Sequence, residues 1–218
     1  MVTRRELDEG LKQLQDMLIH MGDIVEKALE EAMASLVNLD ADEARRIVAE
    51  DPALNRIEEQ ISESGARLIA TQQPVAKDLR KILAALKIAS DLERMGDLAV
   101  DIAKAAIRLE GQTLIKPLID LPRMADLVKT MISESIRSYV EENVDLAYKM
   151  AKDDDQVDTL FGVVFMDLAA IMVENPKSIN QSMLLSFVAR YIERIADHAT
   201  NIGESVVYLV TGKRPDLN

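Results

Sequence analysis

The sequence contains no cysteine, and glycine and proline are scarce, with 8 and 6 residues among 218. Without cysteine there are no disulfide bonds, no thiol catalysis and no thiolate metal sites, which fits a reducing compartment. Any metal ligand would have to be a carboxylate, an amide or a histidine. Because glycine and proline are few, the chain has few points at which regular secondary structure is interrupted.

Basic residues and long apolar runs are also in short supply. The chain has 26 Lys and Arg against 38 Asp and Glu, a net charge of -12. This charge repels a phosphate backbone, and no basic patch offsets it, so no nucleic-acid partner is expected. The most apolar stretch, residues 160–173, spans about 14 residues and includes Asp167, which is shorter than the roughly 20 that a membrane-spanning helix needs. Residues 1–10 are charged and lack a secretory apolar segment, so we expect a cytoplasmic protein that does not span a membrane.

The pattern of apolar residues predicts an all-α fold. With 48% hydrophobic residues, a chain of this length can bury a sizeable core. Apolar residues recur at helical spacing over long stretches, and runs of β-branched residues are rare. The clearest helix is predicted over 77–110. Its apolar stripe consists of Ala85, Ile88, Leu92, Met95, Ala99, Ile102, Ala106 and Leu109.

A second copy of this helix occurs one hundred residues later. All eight positions of the stripe are again apolar there, and residues 193–197 read Glu-Arg-Ile-Ala-Asp where residues 93–97 read Glu-Arg-Met-Gly-Asp. Two amphipathic helices can match over a few turns by chance. The shared acidic motif on top of the shared stripe favours an internal duplication.

The remaining stop signals divide the chain into two tandem three-helix bundles. Pro117 and Pro122 mark the segment 111–122 as the boundary, so the predicted repeats are residues 1–112 and 113–218. Asp51 and Pro52 fit an N-cap followed by proline at the first helical position. The other predicted helices of the first half are 4–38, 41–49 and 52–71, and those of the second half are 121–142, 145–152 and 153–173.

The acidic residues of the repeated motif form rows along their helices. Side chains four residues apart on a helix lie about 6 Å apart along the axis and nearly on one face. One row is Glu93, Asp97 and Asp101, and the other is Glu193, Asp197 and Asn201. At about 100° per residue, both rows point away from the apolar stripe, so these carboxylates are expected outside the core. A solvated helix face with no further role shows the same pattern.

Hairpin geometry adds acids from the preceding helix to each row. If the chain folds back near residue 74, Asp51 lies level with Asp97, and if it folds back near residue 175, Asp154 lies beside Asp197 and Asp158 beside Glu193. Converging carboxylates repel one another unless a proton or a cation intervenes, so the sequence predicts metal binding. Oxygen ligands suit Mg²⁺, Ca²⁺ or Mn²⁺, and carboxylate-bridged iron is a further candidate.

Other polar residues near the motif carry weaker signals. His198 follows Asp197 and offers a nitrogen ligand, but a lone exposed histidine commonly has no such role. Arg94 and Arg194 are expected to bridge to neighbouring carboxylates. The sequence has no glycine-rich phosphate loop, no Gly-x-Ser-x-Gly elbow and no His-Glu-x-x-His motif, and no nucleophile is paired with a base. We therefore do not expect an enzyme.

The doubled motif resembles the PhoU family of phosphate-uptake regulators. The resemblance rests on residues 91–97 and 193–202, on Gln-Pro-Val-Ala-Lys-Asp-Leu-Arg at 73–80 and on Tyr-Leu-Val-Thr-Gly at 208–212, and it covers essentially the whole chain. It implies surface clusters of metal ions, with iron, zinc, magnesium or manganese as the candidates. The site residues carried over are Asp51, Glu93 and Asp97 in the first half and Asp154, Asp158, Glu193, Asp197 and Asn201 in the second.

The resemblance also implies a function and partners. Proteins of this kind are cytoplasmic, usually homodimeric, and repress the phosphate-starvation response together with the ATPase subunit of the phosphate ABC transporter and a membrane sensor histidine kinase. Two departures concern the first site: Asn55 stands where the second half has Asp158, and Leu98 stands where it has His198. The first site is therefore expected to bind metal more weakly or to hold fewer ions.

Three functional hypotheses remain at this point. The leading one is a metal-binding regulatory adaptor. The second is a di-metal carboxylate enzyme, although such bundles typically use Glu-x-x-His in the core, which is absent here. The third is a purely structural bundle with a solvated acidic face.

Overall fold

The computed structural model describes residues 2–50 and 52–217 of the chain. These residues form seven α-helices, a short 3₁₀ turn and the loops between them, and they contain no strand. The all-α prediction is therefore confirmed. The helices are α1 Val2–Asn38, α2 Ala41–Glu50, α3 Pro52–Gln72, α4 Ala76–Arg108, α5 Asp120–Glu141, α6 Val144–Glu174 and α7 Ile179–Thr211, with the 3₁₀ turn Pro176–Ser178 between α6 and α7.

The two copies of the repeated helix, α4 and α7, form the centre of the molecule. They run antiparallel: the Arg80 Nε atom donates to the Leu209 carbonyl oxygen at 3.0 Å near one end, and Gln181 Nε2 lies 3.3 Å from Gln112 Oε1 near the other. Their apolar stripes contribute fully buried side chains, among them Leu92 and Ile192, to one continuous core. Apolar periodicity thus determined which faces are buried.

The other helices surround this pair as two three-helix bundles. In the first half, α1 and the consecutive helices α2 and α3 pack on α4. In the second half, α5 and α6 pack on α7. This is the tandem arrangement that the sequence predicts. Because α4 and α7 also pack against each other, the halves share their core, and the division at residues 112 and 113 stays a prediction.

One predicted helix boundary is wrong. The sequence analysis placed a break between helices at 152 and 153, but α6 is continuous from Val144 to Glu174. In the first half the break occurs where Pro52 begins α3, because proline lacks an N–H group and disfavours helix in the residue before it. When Asp154 is aligned with Asp51, the second half has Asp155 in place of this proline, and the helix continues.

Helix α6 is more apolar than the sequence analysis indicated. Among the described residues it is the one helix that is long and apolar enough to cross a membrane by length and composition. The run of 160–173 understated its length because the apolar window reaches 18 residues when a second acid besides Asp167 is tolerated. In the structure α6 packs along α5 and α7 as part of the bundle.

Candidate metal centre

Four carboxylates of the second half come together where α6 and α7 pack side by side. Asp154 and Asp158 lie one turn apart on α6, and Glu193 and Asp197 lie one turn apart on α7. The short turn Pro176–Ser178 makes the two helices antiparallel neighbours. The charges of Asp158, Glu193 and Asp197 all act on Asp154. We call these four residues the second acidic cluster.

Two members of this cluster are buried, which the sequence analysis did not predict. Asp154 and Glu193 are each only 7% exposed, whereas the row of Glu193 was expected to point away from the core. Glu193 lies on the flank of α7 rather than opposite the apolar stripe, and α6 packs over that flank. The expectation that the acids of this row lie outside the core is therefore wrong for Glu193, and on α6 Asp154 is buried while Asp158 is exposed.

Burial and mutual repulsion raise the pKa values of three of these carboxyl groups. Burial, followed by the charges of Asp197, Asp158 and Glu193, raises the pKa of Asp154 to about 7. Burial is also the main cause of the raised pKa of Glu193 and of Asp197. Charged oxygens here are unfavourable without a proton or a cation nearby.

Two buried oxygens of the cluster also lack a hydrogen-bond partner among the described residues. They are Asp154 Oδ1 and Glu193 Oε2. A buried polar atom without a partner costs about 1–3 kcal/mol, and more if it is charged. The partly exposed Arg190 pairs with the other Glu193 oxygen, Oε1, and so supplies part of the missing positive charge. A proton or a hard cation would supply the positive charge that these oxygens still lack.

The arrangement is not a closed coordination shell. Within residues 2–50 and 52–217, no three Asp, Glu, His or Cys groups converge closely enough to hold one metal ion. The donor set and its unpartnered oxygens fit a hard cation, but its side chains would have to rotate toward one another to bind it. The ligand assignment stays a prediction.

The first half presents a smaller set of acids. Glu93 and Asp97 lie one turn apart on α4, and both are partly buried. Asp51, the third predicted member, lies outside the described residues. Arg94 Nε lies 3.7 Å from Glu93 Oε2, which fits the prediction that Arg94 bridges to a neighbouring carboxylate. Asn55, the counterpart of Asp158, is exposed on α3.

Asn201 and His198 face the centre of the molecule and contact Asp91 of α4. The Asn201 Nδ2 atom lies 3.4 Å from Asp91 Oδ1, and His198 Nδ1 lies 3.0 Å from the same oxygen. His198 is therefore a partner of a buried acid, and the expectation of an exposed histidine is wrong. The predicted role of Asn201 as a metal ligand remains untested by this contact.

Asp91 is a residue that sequence reasoning missed. It is buried, Lys87 Nζ lies 3.9 Å from its Oδ2 atom, and its contacts with His198 and Asn201 join α4 to α7. A signal was available, because Asp91 stands three residues after Ile88 and four before Met95 of the apolar stripe. An acid in such a position is either buried with a partner or at the edge of the core.

Comparison with known proteins identifies one family along the whole chain. The family model described as the PhoU domain matches residues 18–106 and again 121–206. A "phosphate-specific transport system accessory protein PhoU homolog" of Clostridium acetobutylicum is 42% identical over 218 residues, which is 100% of both chains. The homolog of the same description from Aquifex aeolicus is 37% identical over 208 residues, 95% of this chain and 94% of the relative.

Two solved structures share the fold. The crystal structure of PhoU from Pseudomonas aeruginosa superposes with a TM-score of 0.89 at 33% identity, covering 94% of this chain and 99% of that one. The phosphate transport system regulatory protein PhoU from Streptococcus pneumoniae gives a TM-score of 0.90 at 29% identity, covering 96% and 99%. The fold is thus matched over both halves and their packing.

Proposed function

The chain belongs to the PhoU family, and we propose that it is a regulatory accessory protein of the phosphate-specific transport system. The observation that carries this proposal is the match along the entire chain to relatives described as accessory proteins of that system. The family model matches both repeats. No nucleophile is paired with a base in the sequence, which supports a role other than catalysis.

In its finer form, the proposal is that the protein represses the phosphate-starvation response as a cytoplasmic homodimer. Its partners would be the ATPase subunit of the phosphate ABC transporter and a sensor histidine kinase. Two helical bundles with long exposed faces suit an adaptor, because they offer rigid surfaces to several proteins at once. The negative charge of the chain favours partner surfaces that are basic.

Co-purification tests the adaptor role. The wild-type chain, expressed in cells grown with ample phosphate, is expected to retain the transporter ATPase or the kinase. The double variants Glu93→Ala/Asp97→Ala and Glu193→Ala/Asp197→Ala compare the two acidic sites. We expect Glu193→Ala/Asp197→Ala to retain less of the partner protein than Glu93→Ala/Asp97→Ala does. If the wild-type chain retains neither partner, the adaptor role is wrong.

We further propose that the second acidic cluster holds a hard metal ion or a carboxylate-bridged iron centre. Asp154, Asp158, Glu193 and Asp197 would supply the oxygens, with Asn201 at the edge. Support comes from the unpartnered oxygens of Asp154 and Glu193 and from the raised pKa of each of these carboxyl groups. Such a cation would neutralise the cluster and hold α6 against α7.

Elemental analysis of protein purified without chelators tests this site. Wild type is expected to carry iron, zinc, magnesium or manganese, and Asp154→Asn/Glu193→Gln is expected to lose most of it. Asp23→Asn, at an exposed position of α1, is the matched control and should retain the wild-type content. Equal metal content in all three proteins would rule out the second cluster as the site.

The burial of Asp154 and Glu193 gives some weight to the alternative of a di-metal carboxylate enzyme, since such centres lie between helices. The absence of Glu-x-x-His still argues against it. Metal-loaded protein is expected to show no turnover of phosphoesters or of oxygen. Turnover that disappears in Asp154→Asn would favour the enzyme.

A further inference from the structure

A cavity lies at the junction where α2 ends at Glu50 and α3 begins at Pro52. It has a volume of about 520 Å³ and is bounded by α1, α2, α3 and α4. Pockets of about 300–1,000 Å³ that are mostly apolar and carry a few polar groups are typical of small-molecule sites. The wall of this junction cavity is mostly apolar and includes Ile24, Ala28, Ile47, Ala53, Gly96 and Val100.

The duplicated half provides a reference for this cavity, because α1 can be aligned with α5. The two helices end at residues 38 and 141, and the helices that follow them begin at residues 41 and 144. Each residue of α1 therefore corresponds to the residue 103 positions later. The buried residues agree with this alignment, since Met21 matches Met124 and Val25 matches Val128.

The second half fills the space that the first half leaves open. Ala28 lines the junction cavity, whereas its counterpart on α5 is Met131, a long side chain that is only 1% exposed. Gly96 corresponds to Ala196 of α7. A Cβ atom on Gly96 would lie 2.3 Å from Leu54 Cδ2, so the glycine gives Leu54 room against α4. The cavity is thus lined by small residues at positions where the same fold accommodates larger ones.

The charged residues of the lining leave positive charge available. Glu31 and Glu50 both pair with Arg46, whose Nη2 atom lies 2.9 Å from Glu31 Oε2 and whose Nη1 atom lies 2.6 Å from Glu50 Oε1. Lys27 also lines the cavity, and its Nζ atom lies 3.5 Å from Glu31 Oε1. No carboxylate of residues 2–50 and 52–217 pairs with Arg56, the other base of the lining.

We propose that the junction cavity binds a small amphipathic carboxylate of the fatty-acid type. Its apolar chain would lie against Ala28 and Val100, and its carboxylate would pair with Arg56 and Lys27. A guanidinium group matches a carboxylate well because it can donate two parallel hydrogen bonds to it. A cationic amphiphile fits less well, since Arg46 already pairs with both acids of the lining. This ligand site goes beyond the proposed regulatory role and does not depend on it.

Calorimetric titration with decanoate tests the cavity, using full-length protein passed over a lipid-removing resin. Wild type is expected to bind decanoate about tenfold more tightly than octanoate, because two more CH₂ groups are buried. Ala28→Met copies the residue of the second half into the cavity and should weaken decanoate binding at least tenfold. Ala34→Met, at an exposed position of the same helix, is the matched control and should bind as wild type does.

Two outcomes of this titration would overturn the proposal. One is a wild type that binds no decanoate. The other is binding that Ala28→Met leaves unchanged, because the ligand would then lie elsewhere, for example on the exposed apolar residues Phe165 and Met166 of α6. Circular dichroism in urea checks that Ala28→Met is folded before it is titrated.

Arg56→Ala tests the recognition of the carboxylate without filling the cavity. Arg56 is exposed, so this variant should fold even if Ala28→Met does not. It is expected to weaken decanoate binding roughly tenfold, the effect of losing a hydrogen bond to a charged group, and to leave the binding of the uncharged decanol within about twofold of wild type. Arg67→Ala, an exposed arginine of the same helix, should bind both ligands as wild type does. Equal effects of Arg56→Ala on decanol and decanoate would refute the role of Arg56.

Co-purification separates this proposal from the regulatory role. A wild type that binds decanoate but retains neither the transporter ATPase nor the kinase would support the ligand site and refute the adaptor. If wild type binds no decanoate, and Ala28→Met retains less ATPase than Ala34→Met does, the cavity receives a side chain of the partner protein and the proposal is wrong.

Discussion

Asp154 is the residue at which the chemistry of the candidate site is most directly measurable. Its pKa is raised to about 7 by burial and by the neighbouring acids, whereas an aspartate in an unfolded chain titrates near about 4. Between these values the folded protein holds a proton that the unfolded chain has lost. The free energy of unfolding of the metal-free protein is therefore expected to fall as the pH rises from about 4 to 7, by up to about 1.4 kcal/mol per pH unit for one proton.

Urea unfolding in the presence of EDTA at several pH values checks this expectation. Asp154→Asn cannot ionise, so its stability is expected to decline less steeply over the same interval. Above about pH 7 the variant should be the more stable of the two. An equally steep decline in wild type and variant would assign the proton to another group.

Asp91 carries the second prediction at this scale. Asp91→Ala would leave His198 Nδ1 and Asn201 Nδ2 without their shared acceptor between α4 and α7. We expect the free energy of unfolding to fall by about 1–3 kcal/mol, the cost of leaving buried polar groups unpaired. Asp23→Ala, at an exposed acid of α1, should change it by less than about 0.5 kcal/mol. Similar losses in both variants would show that the Asp91 contacts contribute little.

The sequence predicted which residues form the acidic rows but not how deeply they are buried. Periodicity along one helix gives the direction of Glu193 relative to the apolar stripe and places this residue on the flank of α7. Whether a flank is solvated depends on the next helix, and a single-helix argument does not include α6. Asp91 was missed for the same reason, because its partners His198 and Asn201 are on a helix distant in sequence.

At the scale of elements, helix type and most boundaries followed from apolar spacing and proline. Helix α4 was predicted over 77–110 and is found at Ala76–Arg108, and α1 and α5 agree similarly. The exception is α6, for which the assumption that both halves have the same helix breaks gave a wrong boundary. The break after α2 was transferred to the second half, although its cause, Pro52, has no counterpart there.

Two helix glycines provide a prediction about these elements. Gly162→Ala adds a methyl group in open space and is expected to raise the free energy of unfolding by about 0.5–1 kcal/mol through helix propensity. In Gly65→Ala on α3, the new Cβ would lie 2.8 Å from Leu86 Cδ2 and 3.3 Å from Ile82 Cγ2, so the same gain is offset by overpacking.

Urea unfolding followed by circular dichroism measures the difference between these two variants. Gly162→Ala should be the more stable variant. The opposite order would mean that α3 adjusts around Gly65 more easily than the packed side chains suggest.

At the scale of the molecule, the two halves keep one architecture and differ in what they present. The second half has four carboxylates at its helix pair and an apolar outer face on α6, while the first half has Asn55 in its acidic site and a charged α3. Duplication therefore explains the core, and divergence at exposed and flanking positions gives the second half its larger acidic cluster and the apolar outer face of α6. The sequence showed the first point through its repeated stripe, but the exposure of α6 required the packed structure.

The shared core between α4 and α7 predicts that both halves unfold together. All four tyrosines, Tyr139, Tyr148, Tyr191 and Tyr208, lie in the second half, and the chain has no tryptophan, so tyrosine fluorescence reports on that half alone. Circular dichroism reports on all helices. Leu92→Ala, which truncates a fully buried side chain of α4, is expected to cost about 2–5 kcal/mol. In urea it should lower the midpoints of both signals equally, as its counterpart Ile192→Ala should. A Leu92→Ala protein whose circular dichroism transition moves while its tyrosine transition stays would show that the halves are independent domains, divided near the predicted boundary at residue 112.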